Sequence, residues 1–185
     1  MRQQRKPGKA ITDATILNDI LSACHVGHLA TNGDDGYPMV KPLNFAQREG
    51  RIYLHSAHEG EKIDHILRDG RVCFETCQPI AQVKAKSHPC DSAYLYRSVI
   101  IKGRASIVED STEREEAFAA LMEKYQPEGG FGDYTQKRLG LTAIIRVDIQ
   151  AMSGKEDLGK GDVRDRALEA LGSSAPLPVT LYRED

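Results

Sequence analysis

Lys62 lies in the first turn of a predicted helix, where it favours the binding of an anion. Residues 51–55 are rich in strand-favouring types, and Ile63, Ile66 and Leu67 then recur at helical spacing. A helix N-terminus presents unpaired N–H groups and a partial positive charge, both of which suit a phosphate. A lysine in that turn adds a full charge. The alternative is a solvated first turn that carries an ordinary surface lysine.

Turn signals bound this segment on both sides. Arg48-Glu49-Gly50 predicts a hairpin turn before the strand, and Ser56 and Ala57 break the strand pattern after it. Gly70, after Asp69, is expected to end the helix by taking a left-handed conformation. A strand, a tight turn and a short helix would therefore hold the lysine in place.

The composition is that of one soluble domain, or one domain with an arm. The chain has 185 residues, of which 40% are apolar and 28% are charged. A net charge of −2 gives no broad electrostatic footprint for nucleic acid. No run approaches the roughly 18 apolar residues of a membrane span. Because Met1 to Lys9 lacks the apolar core of a signal peptide, we expect a cytoplasmic protein.

The four cysteines match no C-x-x-C metal or redox motif, and without a secretion signal we expect free thiols. A metal site built from cysteine and histidine is the alternative. Three of the candidate ligands, Cys24, His25 and His28, fall on a predicted strand, where neighbouring side chains face opposite ways. No recognised ligand spacing is present. We therefore expect no metal at the candidate ligands, which are Cys24, His25, His28, His55 and His58.

The remaining patterns predict strands that outnumber helices. A helix capped by Thr12 has apolar residues at helical spacing, and a second begins at Asp110 and Glu113, which have capping-box spacing. Residues 77–91 are predicted to be irregular or a weak strand, and Gly103 to mark a bend or bulge. The other strands are predicted at residues 25–31, 37–45, 72–76, 94–108 and 141–152.

Six or so strands with frequent turns and two or three short helices indicate a small antiparallel barrel or sandwich. A barrel would leave no sheet edges exposed. After Gly154 the composition changes, and one small amphipathic helix followed by an extended tail is expected there.

Five segments, in this order and with sensible gaps, resemble the FMN-binding split-barrel superfamily, which includes pyridoxamine 5′-phosphate oxidase. They are G-H-L-A-T (27–31), Y-P-M-V-K-P-L-N-F (37–45), Y-L-H-S-A-H-E-G-E-K (53–62), V-C-F-E (72–75) and Y-R-S-V-I-I-K-G-R-A (96–105). Within the superfamily the chain most resembles the nitroimidazole-reductase (Nim-type) flavin-nucleotide-binding branch.

The resemblance implies a mainly β fold, a six-stranded antiparallel split β-barrel with short helices. Residues 11–155, which the resemblance covers, would be the FMN-binding domain. The resemblance also implies a homodimer with two FMN molecules at the subunit interface. Residues 156–185 lie outside the resemblance, and we expect them to form a C-terminal helix and tail that pack on the dimer partner.

The resemblance further implies three groups of cofactor-binding residues. The strand along the isoalloxazine is matched by Lys41, Pro42, Leu43 and Asn44. The strand-turn-helix at the ring edge and phosphate is matched by His55, Ser56, Ala57, Glu61 and Lys62. A further strand, expected to meet the cofactor of the partner subunit, contributes Tyr96, Ser98 and Val99. The alternatives are a solvated strand lysine at Lys41 and barrel or interface packing by Tyr94 and Tyr96.

The implied activity is the flavin-dependent reduction of small electron-poor substrates such as nitroaromatics, with a nicotinamide as electron donor. His55 is the expected catalytic residue, because an imidazole can donate a proton to the reduced substrate near neutral pH. The alternative for His55 is a strand-end histidine bonded to backbone. The alternative functions are a non-catalytic flavin carrier or redox sensor, or a barrel that binds haem or deazaflavin. Arg146-Val147-Asp148 is not the arginine-histidine motif of true pyridoxamine phosphate oxidases.

Overall fold

The computed structural model describes residues 5–132, 135 and 139–182, and these residues form a mainly β fold. The strands are β1 (Ala10–Ile11), β2 (Gly27–Asn32), β3 (Pro38–Leu43), β4 (Phe45–Arg48), β5 (Arg51–Ser56), β6 (Arg71–Lys84), β7 (Ala93–Ile107), β8 (Ala143–Asp157) and β9 (Val179–Tyr182). The helices are α1 (Ala14–Ala23), α2 (Glu61–Arg68), α3 (Ser111–Tyr125) and α4 (Asp162–Gly172). Short 3₁₀ turns lie at Pro7–Lys9 and Pro89–Asp91. The expected fold class is confirmed, with nine described strands in place of six.

The strand path runs β3-β2-β6-β7-β8-β5-β4, and among the described residues it does not close. Antiparallel pairing joins β2 to β3 and β6, β5 to β4 and β8, and β1 to β8, whereas β9 pairs with β6 in parallel. Because β3 lies at one end of the path, Pro38 and Pro42, which lack an N–H, can occupy it.

The chain divides into two compact units. One contains Leu21–Thr76 and Ile100–Met152; the other contains the described residues up to Ile20, Cys77–Val99 and 153–182. We call them the larger and the smaller unit.

In the larger unit, α3 packs on β4 and β5. Its apolar face lies against the inner side chains of those strands because the helix repeats its apolar residues every three to four positions. One buried cluster there consists of Ala46, Tyr53, Val108, Ala117, Ala120, Leu121 and Ile144. The Asp110 carboxylate caps the helix by accepting the Glu113 amide at 2.8 Å, as the sequence predicts.

In the smaller unit, the C-terminal region supplies a helix and a strand. β9 pairs with Ala81–Lys84 of β6, and α4 packs on β9. The resulting core consists of Ile80, Ala81, Val83, Leu95, Leu158, Val163, Ala167 and Leu181. The residues after 172 therefore include a paired strand as well as extended chain, which the sequence did not predict.

Residues 77–84 continue β6, which is the strand alternative of the prediction, and Ile80, Ala81 and Val83 there are buried in the core just described. Three local predictions are wrong. The predicted strand 37–45 is two strands, separated at Asn44. The helix α1 is capped by Asp13, whose carboxylate accepts the Thr15 amide at 2.8 Å, and not by Thr12. β7 is continuous through Gly103, and the bend or bulge expected there stays a prediction.

The third concerns Gly70, which does not adopt a left-handed conformation. A Cβ at this position would lie 2.7 Å from the Ala105 carbonyl oxygen. Glycine is needed here because two backbone segments approach closely, and the Ala105 amide donates to the Gly70 carbonyl at 2.7 Å.

Among the helices of the described residues, none has the length and apolar character needed to cross a membrane.

Candidate functional site

Three elements of the larger unit meet around one cavity. β3 places Lys41 and Pro42 opposite Leu29 and His28 of β2. β5, held in the core by Ile52 and Leu54, ends at His55 and Ser56. The turn after β5 leads directly into α2, and His58 in that turn hydrogen-bonds the Gly140 carbonyl through a ring N–H at 2.9 Å. A strand, a strand end and a helix start therefore face a common space.

The cavity has a volume of about 580 Å³, within the range of small-molecule sites. Eight of the residues predicted from the sequence line it, together with two that were not predicted. The predicted ones are Lys41, Pro42, Leu43, His55, Ser56, Ala57, Glu61 and Lys62, and the additional ones are Glu59 and Gly60. Residues from two separate stretches of the chain are thus brought together by the fold.

The cavity is electropositive at its Lys41 and Lys62 side. Burial lowers the pKa of Lys62, and the positive charge of Lys41 lowers it further. In the part of the chain that the structure describes, neither ammonium forms an ion pair. Two cations that repel each other beside a partly desolvated space form a site that an anion would stabilise.

The start of α2 adds backbone donors to this side of the cavity. Gly60 is the N-cap residue, with φ 116°, and it offers no side chain to cap the helix. The Gly60 carbonyl accepts from the amides of Ile63 and Asp64 at 2.7 and 3.2 Å. The amides of Glu61 and Lys62 therefore have no acceptor within the helix. Such a helix end binds anions through its N–H groups and its dipole.

His55 is exposed where β5 ends and lines the same cavity. Its backbone pairs with Ile144 of β8. Among the described residues no hydrogen-bond partner is found for its ring. His55 is therefore not bonded to backbone, which was the alternative interpretation. The ring is free to contact a bound molecule.

A comparison of the sequence with protein-family models decides the family. The model described as pyridoxamine 5′-phosphate oxidase matches residues 13–156. The chain belongs to this family. No curated protein matches the sequence.

Solved structures agree with this family in fold. A candidate 5-nitroimidazole antibiotic resistance protein from Bacteroides thetaiotaomicron is 24% identical with a TM-score of 0.69, over 80% of this chain and 86% of that one. The flavocytochrome Anf3 from Azotobacter vinelandii is 19% identical with a TM-score of 0.73, over 93% and 78% of the two chains. An FAD and haem binding protein from Mycobacterium smegmatis is 21% identical with a TM-score of 0.73, over 92% and 88%. The split-barrel fold implied by the sequence resemblance is therefore confirmed.

Four residues predicted from the family resemblance do not line the cavity. Asn44 is exposed between β3 and β4. Tyr96, Ser98 and Val99 lie on β7 in the smaller unit. The Tyr96 ring centre lies 5.4 Å from the Lys155 ammonium, whereas Val99 is 0% exposed and has no side-chain surface to offer a ligand. The roles of these residues in binding remain predictions.

Helix α2 differs from its predicted orientation in one respect. Leu67, predicted to lie on the apolar face, is 71% exposed, whereas His65 is 3% exposed. Because about 3.6 residues make a turn, burying His65 with Ile63 and Ile66 turns Leu67 outward and brings Lys62 partly inside. This rotation is the reason that Lys62 is desolvated.

A second cavity of the larger unit, of about 480 Å³, is lined in part by Arg71, Cys73, Lys102 and Gln150. Burial raises the pKa of the Cys73 thiol, which keeps it protonated and unreactive. None of the four cysteines forms a disulfide bond in the part of the chain that the structure describes, as predicted.

Proposed function

We propose that this protein binds FMN, with the phosphate between Lys41 and Lys62 at the start of α2. The observation that carries the proposal is the pair of ammonium groups, without a carboxylate partner in the described residues, beside an uncapped helix N-terminus. A phosphate monoester is a dianion at neutral pH, so its charge matches the two lysines. Each charge-assisted hydrogen bond from a lysine or an amide would contribute about 1.5–3 kcal/mol.

The rest of the cavity suits the isoalloxazine ring. Pro42 and Leu43 offer apolar surface along β3, and Ser56 offers a hydroxyl at the end of β5. β3 is exposed along most of its length, with Val40 53% exposed. A strand with so little cover is typical of one on which a ligand or another subunit packs. We therefore extend the proposal to a homodimer with the cofactor at the interface.

The proposed activity is the reduction of small electron-poor compounds such as nitroaromatics. Bound flavin supplies the electron transfer, while the protein orients it and sets its electrostatics. His55, exposed at the other wall, would hold the proton that the reduced substrate takes up.

Oxidation of pyridoxamine 5′-phosphate itself is a poorer fit. Arg146 bonds Glu113 at 3.1 Å and Asp148 at 3.1 Å. Its guanidinium is therefore engaged within the chain and does not stand in for a substrate-binding arginine.

An alternative proposal for the cofactor rests on the structural relatives. Two of them are described as a flavocytochrome and as an FAD and haem binding protein. A haem or FAD site in place of FMN, or a flavin carrier or sensor with no substrate, is therefore the alternative proposal. A cytoplasmic location remains the expectation from sequence.

The visible absorption spectrum of the purified protein distinguishes these cofactors, because flavin and haem absorb differently. We expect flavin absorption, or its appearance with saturable binding when FMN is added. A colourless protein that does not bind FMN would overturn the proposal, and a haem spectrum would favour the alternative.

Anaerobic kinetics test the proposed reductase activity. Flavin reduced by a nicotinamide should be reoxidised faster when a nitroaromatic is added, and His55→Ala should slow that step without releasing FMN. No acceleration across a panel of electron-poor compounds would instead support a carrier or sensor.

A further inference from the structure

His65 is a buried polar side chain to which the proposed function gives no role. It lies on α2, three residues after Lys62, and is 3% exposed. Burying an imidazole is unfavourable unless its ring nitrogens find partners. The helix has an apolar residue, Leu67, that it leaves 71% exposed. The buried histidine is therefore not explained by a shortage of apolar residues on this helix.

The ring of His65 has a neighbour at each nitrogen. Its Nδ1 lies 3.0 Å from Oγ1 of Thr31, which is 1% exposed on β2. Its Nε2 lies 4.0 Å from Oε1 of Glu61, one turn earlier on α2. At 4.0 Å the two groups are not hydrogen-bonded, but a carboxylate attracts an N–H and repels a lone pair, so the tautomer that suits both neighbours has its proton on Nε2. Nδ1 then accepts from the Thr31 hydroxyl.

Glu61 is also the acidic residue at the mouth of the proposed phosphate site. It lines the cavity beside Lys62, and its side chain is 65% exposed. A carboxylate that swung toward the two lysines would neutralise them and repel a phosphate. The position of this carboxylate therefore matters to anion binding.

We propose that the Thr31–His65–Glu61 chain keeps the Glu61 carboxylate beside the His65 ring and so leaves Lys41 and Lys62 available for a phosphate. His65 and Thr31 are positioning residues, since they act through Glu61 and the first turn of the helix. The proposal rests on the proposed function, because it assigns a control element to the same phosphate site.

The test compares FMN with riboflavin, which lacks the phosphate. Both dissociation constants are measured by flavin fluorescence for the wild type and for His65→Leu, whose apolar side chain fills the buried space. We expect His65→Leu to weaken FMN about tenfold, because the Glu61 carboxylate loses the attraction of the ring N–H and can approach the lysines, while riboflavin changes much less. A change equal for both ligands would mean a merely structural role and would overturn the inference.

A double-mutant cycle with Glu61→Gln provides the decisive result. Glu61→Gln should improve FMN binding about twofold in the wild type and about tenfold in His65→Leu, because only there is the carboxylate released toward the lysines. Equal gains in both backgrounds would overturn the inference.

Two Thr31 variants keep the test decisive if His65→Leu does not fold. Thr31→Val removes the hydroxyl at nearly constant shape and should weaken FMN about threefold, whereas Thr31→Ser keeps the hydroxyl and the affinity. Equal affinities for these two variants would contradict the proposal. A wild type that binds FMN no better than riboflavin would overturn the proposed phosphate site itself, and this inference with it.

Discussion

Helices α2 and α3 of the larger unit begin in different ways. At α3 the Asp110 carboxylate accepts the Glu113 amide at 2.8 Å, so the helix end is satisfied within the chain. At α2 the cap is Gly60, which has no side chain to offer, and a lysine follows in the first turn. The first helix end is complete as folded. The second retains hydrogen-bonding capacity for a ligand.

Two lysines of the same unit repeat the contrast. Burial lowers the pKa of both Lys124 and Lys62. The Lys124 ammonium donates to the Leu21 carbonyl at 2.8 Å and lies 3.6 Å from the Phe45 ring centre. The nearest charge that acts on Lys62 is another lysine. Similar desolvation is thus offset by internal partners in one case, and in the other only by an anion from outside.

The largest expected effect is that of Lys62→Glu on FMN binding. Reversing this charge should weaken FMN binding by about tenfold or more, because an attractive contact to the phosphate becomes repulsive. Titration of flavin fluorescence measures the change. Lys160→Glu, at an exposed lysine of the smaller unit, is the matched control and should bind FMN as the wild type does. If Lys62→Glu retained FMN as well as the wild type, the phosphate would not bind at this end of α2.

The complementary change is made at the other helix. Asp110→Ala should lower the free energy of unfolding by about 1 kcal/mol, because the Glu113 amide loses its acceptor. FMN affinity should stay as in the wild type. Denaturant unfolding and the same flavin titration provide the two measurements. A loss of FMN affinity as large as that of Lys62→Glu would erase the distinction between the helices.

The lowered pKa of Lys124 predicts how the free energy of unfolding depends on pH. Its pKa falls from 10.5 to about 8 in the folded protein. Between these values the unfolded chain holds a proton that the folded chain has released, so stability rises with pH across this window. Solvent screening at this half-buried site limits the rise to the order of 1 kcal/mol.

Lys124→Met should remove that rise. Denaturant unfolding of both proteins at the two ends of the window provides the comparison. A wild type whose stability rises no more than that of the variant would show that Lys124 keeps its ordinary pKa.

The smallest expected effect is on the pH dependence of FMN binding. The pKa of Lys62 lies below its ordinary value of 10.5, and a bound dianion raises it. FMN binding therefore takes up a proton, and its affinity should fall about threefold as pH rises toward the ordinary lysine value. Lys62→Met should flatten this dependence. The same pH slope in both proteins would exclude Lys62 as the group that titrates.

Local sequence patterns predicted the fold class well because each strand or helix carries its own hydrophobic period. They failed where long-range packing decided the outcome. The sequence left residues 77–84 open between irregular chain and a weak strand, and it did not predict that β9 pairs with Ala81–Lys84. Gly70 is needed for the approach of Ala105 and not for a left-handed helix end.

The cavity was predicted better than the helix that borders it. Eight of its residues followed from the family resemblance, since both stretches keep recognisable motifs. Gly60 was missed because it has no side chain and borders the cavity only through its place at the helix start. His65 was missed because an eight-residue helix allows more than one apolar face, and only packing on β2 selects one.

The sequence by itself determined the fold class of this protein, the lysine at the beginning of α2 and the family. These depend on residues that are neighbours in the chain. Only the tertiary structure decided that Lys41 and Lys62 repel each other across one cavity, and that a buried histidine lies behind Glu61. The reason is physical: electrostatic and desolvation energies depend on distances in space, and the packing of β3, β5 and α2 sets those distances.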